Sequence, residues 1–510
     1  MRNRTQVAFR VDASPEIGLG HLSRCLALAH ALRVLDAEIA FVVRNLGIDV
    51  SDRIRKAGCR LLMLPAPPVS LPAFTWPACP RHAAWAGVPW NLDAEQTIAA
   101  LDGFDAAWIV VDHYAFDAQW HRAVSNATRA KICLIDDLAD RPLAANIVVD
   151  ASLADHRAKF APTIRGSARL LGGPRYALLG PAYMAAPRYR FRERVQSIGI
   201  FFGGSDPLRL SERALRACRQ VARFDGLIEV VSTRANQALG ELSQICEHFA
   251  PVRLSVDLPD LTEFYARHDL HVGAGGGAMW ERCFIGSPTV ALAFAENQRQ
   301  MIEGLAAVGA IEAVKAVEEE HLGQAVRKLI DDAQERRRLS AQARTLVDGL
   351  GAKRVALALL AESIELAPAS SVDAEFVFRW RNDARTRRFF RDPSPITRET
   401  HDRWWSSALA EPSRTLLVAR CASTAVGIVR LDRRSDDSAE VSIYLDPELT
   451  GLGLGPAALR ALQRWVAVNS NLAVLSAHVL PENRASMRAF EEAGFVRRGD
   501  TEWTWNRNVV

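Results

Sequence analysis

Short apolar runs alternate with helix-length amphipathic stretches through the first two thirds of the chain. VAFRV, EIAFVV, WIVVDH, KICLID and NIVVDA have the composition of buried strands, and LSRCLALAHAL repeats its apolar positions at helical spacing. Strand and helix in alternation predict a parallel sheet covered on both faces. From about residue 195 to 365 the pattern starts again, with SIGIFFGG, LIEVVST, LHVGAGGG and TVALAF each followed by a loop or helix. A basic, proline-containing stretch around Tyr176 to Arg194 divides the two series. The expected fold class is α/β, with two Rossmann-like domains, 1–185 and 186–362, facing each other across a cleft.

The pattern changes after Glu362. ELAPASSVD is small, polar and proline-containing, so 363–371 reads as a linker. Residues 372–510 hold Trp380, Trp404, Trp405, Trp465, Trp503 and Trp505. They run as two helices, the strands TLLVA, AVGIVRL and AEVSIYL, a glycine loop, a helix, a strand and a last helix, which predicts a separate α+β domain. A chain of 510 residues needs several cores in any case. Its formal net charge of +4 is small for that length and argues for no nucleic-acid or membrane partner. No apolar run is long enough to span a bilayer. The eight cysteines stand singly, with no C-x-x-C pair, which points to a reducing, cytoplasmic setting and away from a disulfide framework or zinc site. MRNRTQVAFRVDAS ends its short apolar run at Asp12 and reads as a first strand, not a signal peptide.

Two glycine turns carry the candidate chemistry. After VAFRV come Gly18, Gly20 and His21, then a helix. The glycines let backbone approach a ligand, and free amides at a helix N-terminus favour negative charge. His21 falls in the first turn, where the helix dipole disfavours the imidazolium and leaves a neutral ring able to accept a proton. The same residues also suit a plain turn with a packed histidine. A nicotinamide site fits poorly: Ser23 stands where the third glycine of the fingerprint belongs, and the second strand ends in Arg44 and Asn45, not an acid. In the second turn, Gly275, Gly276 and Gly277 can present amides to a diphosphate, with Glu281 a turn further on for ribose hydroxyls. The alternative is a glycine-rich turn with a solvated glutamate. Asp112 and Tyr114 follow a strand, where open α/β sheets bind ligands, or else hold a structural hydrogen bond. Asp136, Asp137 and Asp140 read as a solvated loop, and no metal is expected.

RVDASPEIGLGHLSRCLALAHAL, VVDHYAFDAQW, LIDDLADR, GGPRYALLGPAY, FFGGSDP and GAGGGAMWERCFIGSPTVALAFAENQ occur in this order between residue 6 and about 350. Together they resemble the UDP-sugar hydrolases of pseudaminic acid synthesis, which remove UDP from 2,4-diacetamido-2,4,6-trideoxy-β-L-altropyranose. The resemblance implies a GT-B-like pair of domains and His21 as catalytic base beside Gly20. It also implies a nucleotide on Gly275, Gly276, Gly277 and Glu281, and a substrate contact from Asn297, which with Gln298 ends the next strand at the expected sugar position; Tyr114 is the further substrate candidate from its strand end. In one respect the chain departs from the family. Gly277, Ala278 and Met279 stand where hydroxyl residues are common, so phosphate contacts rest on backbone amides.

The loop from Thr450 through Gly451, Gly453 and Gly455 resembles the pyrophosphate loop of the GNAT acetyltransferases, with Thr450 in place of the usual Arg or Gln. AHVLPENRASMRAFEEAGF resembles the strand and helix that follow it. The likeness implies acetyl-CoA as co-substrate, held at Gly451, Gly453, Gly455 and Asn483. FRWRNDARTRRFFRDPSPITRETHDRWW has the R-N and H-x-x-W features of nucleotide-sugar N-acetyltransferases, which acetylate the 4-amino group of a UDP-sugar; His401 and Trp404 are the implied substrate contacts. Glu440 is the candidate base, or otherwise a solvated edge residue. The family's tyrosine after the second motif is missing beyond Tyr444, which leaves Ser486 or a water to protonate the thiolate. The combined expectation is a bifunctional enzyme acting on a UDP-linked amino sugar. The alternatives are a GT-B glycosyltransferase with a UDP-sugar donor and a non-catalytic nucleotide-sugar-binding scaffold.

Overall fold

The computed structural model describes residues 4–68, 80–293, 296–315 and 318–507, without the side chains of Glu296 and Asn297. They form two compact units, Met1–Val355 and Ala356–Val510. The first unit holds two sheets. In the first sheet lie β1 (Gln6–Arg10), β2 (Glu38–Arg44), β3 (Arg60–Leu64), β4 (Ala106–Val111), β5 (Lys131–Ile135), β6 (Ile147–Asp150) and β7 (Arg169–Gly172). Their order is β3-β2-β1-β4-β5-β6-β7, parallel throughout. The central strands are apolar on both faces because helices cover both. The helix Gly20–Val34 buries Leu22, Cys25, Leu28, Ala29 and Leu32, spaced by three and four, which fixes one side of it to the sheet. The chain order reverses between β1 and β4, so their C-terminal ends open a crevice.

The second sheet comprises β8 (Ser197–Phe201), β9 (Leu227–Ser232), β10 (Val252–Val256), β11 (Leu270–Ala274), β12 (Thr289–Leu292) and β13 (Glu312–Val314). It is also parallel, in the order β10-β9-β8-β11-β12-β13, and it reverses between β8 and β11. The glycine loop 275–277 follows β11 and so stands at this second switch point. Tyr183, before the expected boundary at 185, is buried in the second lobe's core with its ring 6.4 Å from Phe284. The second lobe therefore takes in residues before 186.

The second unit is built on β14 (Glu365–Pro368), β15 (Arg414–Cys421), β16 (Thr424–Arg433), β17 (Ser438–Leu445), β18 (Val474–His478), β19 (Val496–Arg497) and β20 (Glu502–Asn506). The order is β14-β15-β16-β17-β18-β20-β19. Neighbours are antiparallel except β17 and β18, which pair in parallel through Ser438, Ala439 and Glu440 alone. Beyond Glu440, β17 continues to Leu445 and the two strands part. Leu459, Leu462 and Val466 of the helix Leu454–Asn469 pack on one face of the sheet, and Val377 and Trp405 on the other.

The expected linker is corrected by these pairings. Residues 365–368 are the edge strand β14, in register with β15 from Glu365 opposite Arg420 to Pro368 opposite Leu417. Ser370 and Asp373 then close a capping box, and Trp405 Nε1 donates to the Ser370 carbonyl at 3.1 Å. An edge strand tolerates a proline and polar side chains because one row of its backbone groups faces away from the sheet. Linker-like composition and edge-strand composition coincide here. No helix among the described residues is long and apolar enough to cross a membrane.

The fragment 356–510 should unfold cooperatively on heating. A fragment beginning at 372, which lacks β14, should lose that transition or show it lower by roughly 10 °C or more; circular dichroism melts of the two compare them directly.

Candidate functional site

The first lobe brings its chemistry to the β1–β4 switch point. His21, the second residue of the helix after β1, sets Nδ1 at 2.6 Å from Oδ1 of Asp112, the residue after β4. Arg24, one helical turn on, clasps the same carboxylate through Nε and Nη2, each at 2.6 Å. Asp112 is fully buried, which works against its charge, yet Arg24 and His21 hold it well below the usual carboxylate range. An ionised carboxylate at Nδ1 fixes the tautomer that carries the proton there and leaves Nε2 as an acceptor. Tyr114 is buried against the ring of His21, with centroids 4.9 Å apart, and its hydroxyl donates to Asp137. Burial first, then Asp137, pushes that phenol well up. Gly20 heads the helix with open space where a Cβ would stand.

The three aspartates expected in a solvated loop are instead engaged. Asp136 is buried, lies 2.7 Å from Arg141 and accepts the amides of Leu138 and Ala139. Asp137 takes the Tyr114 hydroxyl and faces Arg24 at 3.6 Å, while Asp140 accepts from Arg141 at 3.0 Å. The loop lies against the site, where a buried charge such as that of Asp136 is costly unless paired. No group of three or more metal-ligating side chains assembles among the described residues.

A cavity joins this site to the second lobe. Arg24, Asp137 and Ser152 line it from one side, and Gly277, Trp280 and Met301 from the other. Gly276 has φ of 92°, which a side chain rarely adopts, and caps the helix Gly277–Ile285. Both Gly276 and Gly277 have open space at the Cβ position, which suits a ligand cradle. Gly275 differs: a Cβ there would stand 3.1 Å from that of Gln298, so this glycine serves close packing. Glu281 accepts from the Tyr183 hydroxyl, and burial raises its carboxyl above the usual range. Asn297 and Gln298 do not end a strand. β12 stops at Leu292, and both lie in the first turn of the helix Glu296–Ala307, where Gln298 leaves a buried Oε1 without a partner. The Asn297 side chain lies outside the described residues.

In the second unit the glycine loop leads into the helix Leu454–Asn469. Gly451 and Gly453 have φ of 83° and 80°, and Gly453 caps the helix, so the amides of the first turn have no intrahelical acceptor. Gly455 is placed by packing: its missing Cβ would lie 3.2 Å from that of Ala489 on the helix Arg484–Glu492. Asn483 caps that helix by accepting the Ser486 amide at 3.1 Å, and Ser486 is half-buried. Glu440 stands at the fork of β17 and β18, its carboxylate accepting from Arg434. His401, expected at a substrate, is buried instead, stacked on Trp405 with centroids 5.9 Å apart. Its place on the inner side of the helix Arg398–Ala410 follows helical periodicity, with Trp405 four positions on also buried, while Trp404 is 37% exposed.

Residues 363–496 match the acetyltransferase (GNAT) domain. The chain carries a GNAT-type domain at this end. The match begins within the supposed linker and takes in β14. An uncharacterised protein of Methanocaldococcus jannaschii is 21% identical over 533 residues, covering 99% of this chain and 100% of its own. The spore coat polysaccharide biosynthesis protein SpsG of Bacillus subtilis is 25% identical over 253 residues, 48% of this chain and 74% of its own. Among solved structures, Acinetobacter baumannii MurG is 14% identical with a TM-score of 0.47, over 69% of this chain and 98% of that one.

Arg24, His82 and Trp85 belong to the first site and were not singled out from sequence, and Asp137 was read there only as part of a solvated loop. Arg24 carried a signal, since i and i+3 share a helix face. His82 and Trp85 come from an irregular stretch with no period to read. Beneath the site, Asp93 accepts from Arg10 Nη2 at 2.6 Å, Arg44 Nη2 at 2.8 Å and Trp120 Nε1 at 3.0 Å, and Arg10 also bonds Asp12 at 2.6 Å. All five side chains are buried, so the two positive and two negative charges balance without water.

Asp93→Ala should destabilise the first unit by about 3–5 kcal/mol, because two buried guanidinium groups lose their common partner. Despite burial, Arg10 holds the Asp93 carboxyl below its ordinary value. Its contribution is therefore complete above the unfolded carboxylate range, near pH 4, and is lost as the pH falls below it. Urea melts across pH should show a smaller acid dependence in the variant.

Proposed function

We propose that the chain is a bifunctional enzyme of nucleotide-linked amino sugar metabolism. The first unit hydrolyses UDP-2,4-diacetamido-2,4,6-trideoxy-β-L-altropyranose to UDP and the free sugar. The second acetylates the 4-amino group of the precursor UDP-sugar with acetyl-CoA. The observation that carries the reading is the His21–Asp112 pair at the switch-point crevice, beside a cavity shared with the Gly277 turn.

Water bound at Nε2 of His21 attacks the anomeric carbon and gives up its proton to the ring. Asp112 offsets the charge that forms on the imidazole, a contribution of about 10²–10⁴-fold for a placed general base. The bond from the anomeric carbon to the diphosphate oxygen breaks with its electron pair on UDP. The amides of Gly276 and Gly277 and the positive end of their helix receive that charge. Glu281 is suited to the ribose. A glycosyltransferase would use the same crevice with a sugar acceptor in place of water, and an inert scaffold would bind without turnover. In the second unit the amides at Gly453 and the following turn are suited to the diphosphate of acetyl-CoA, and the fork between β17 and β18 to its thioester arm. The match to the GNAT domain supports this half, and the SpsG relative supports a sugar substrate for the chain.

His21→Ala should lower UDP release at least about 100-fold and leave acetyl-CoA-dependent thiol release intact. Asp112→Asn should follow it, by losing the proton-fixing carboxylate. UDP release at the wild-type rate in either variant would overturn the base assignment, and a requirement for an added acceptor would favour the transferase. Both are read by proton and phosphorus NMR on the diacetamido UDP-sugar.

Gly453→Glu should do the reverse, since a side chain is strained at this backbone angle and its charge repels a diphosphate. Thiol release should fall at least about 100-fold while UDP release persists. Unchanged thiol release would reject the loop as the coenzyme site.

A further inference from the structure

The wall beside His21 contains a second histidine without a task in the scheme above. His82 precedes the short helix Ala83–Ala86. Its ring centroid lies 4.7 Å from that of Trp85 and 5.6 Å from that of Tyr114. Those two rings also meet His21, at 6.1 and 4.9 Å. Four rings share one wall. Nδ1 of His82 is buried with no hydrogen-bond partner and stops 3.9 Å from Oδ2 of Asp140, beyond bonding distance. The other Asp140 oxygen already accepts from Arg141.

A phenylalanine would fill this place against Trp85 and Tyr114 and bury no orphaned nitrogen. The imidazole–carboxylate pair instead repeats, at longer range, the His21–Asp112 arrangement across the same tyrosine. Burial moves the ring toward its neutral form, with Asp140 opposing and Arg141 assisting. A neutral imidazole donates from one nitrogen and accepts at the other, which matches a sugar hydroxyl or amide. The flanking aromatic rings match the apolar C–H face of a hexose.

We propose that His82 is a substrate-positioning residue of the first unit, hydrogen-bonding a hydroxyl or amido substituent of the hexose while Trp85 and Tyr114 cover the sugar's apolar face. The assignment rests on the hydrolase reading. His82→Phe in the full chain keeps a packed ring and removes both nitrogens. It should raise KM for the diacetamido UDP-sugar about tenfold, the loss of one hydrogen bond, with kcat within about threefold. The inhibition constant of UDP, which has no sugar to meet this wall, should stay within about twofold. His82→Gln, which restores a hydrogen-bonding group, should recover part of the loss, and it serves for the same KM and inhibition measurements against His82→Leu if the phenylalanine variant does not fold. An unchanged KM in a variant with the wild-type melting point overturns the assignment and leaves the hydrolase reading standing. A rise in the UDP inhibition constant equal to that in KM also overturns it, because it marks general damage. No UDP release from the wild-type chain overturns the hydrolase reading and the assignment with it.

Discussion

A carboxylate sealed at the end of a central strand has to be paired, and the first unit is organised around that requirement at Asp112. Buried without partners, it would neutralise or unfold its surroundings. Arg24 and His21, on one turn of one helix, satisfy it together. The helix after β1 is thereby pinned to the end of β4 across the switch point, and the imidazole loses its freedom to rotate. The same pairing that stabilises the charge sets which ring nitrogen carries the proton.

Below it, the Arg10, Asp12, Arg44 and Asp93 cluster applies the same rule one layer deeper. There the charges are balanced and closed off, which makes the cluster scaffold. At the crevice the pairing with Asp112 engages only Nδ1 of His21, which makes that group a candidate for chemistry. The difference lies in whether the charged groups pair only with one another inside the lobe or stand at the crevice.

The inner strands of both parallel sheets, their order of appearance and both glycine turns were legible in the sequence because parallel strands buried on two faces read as unbroken apolar runs, whereas the edge strands β3, β7, β10 and β13 were not. The position of His21 in the first turn of a helix was legible from the glycine turn before it. The role of Asp112 was not, since a carboxylate 91 residues away declares itself only once β1 and β4 are neighbours. Composition misled at 365–368, where an edge strand and a linker look alike, and at 136–140, where aspartates resemble a solvated turn until their arginines are placed. His401 misled differently: a motif position was taken for a contact, and helical phase turned it inward beside Trp405.

That inward turn narrows the acetyl-transfer half. With His401 in the core and the Glu440 carboxylate already taken by Arg434, neither side chain is a free base at the fork of β17 and β18. On the proposed reading, the attacking amine must therefore arrive neutral or lose its proton to water, and the unit contributes chiefly by holding two reactants in register. Orientation of that kind can supply much of a barrier reduction when the nucleophile and the thioester are already reactive. On that reading the first unit depends on one imidazole and the second on a cradle of backbone amides.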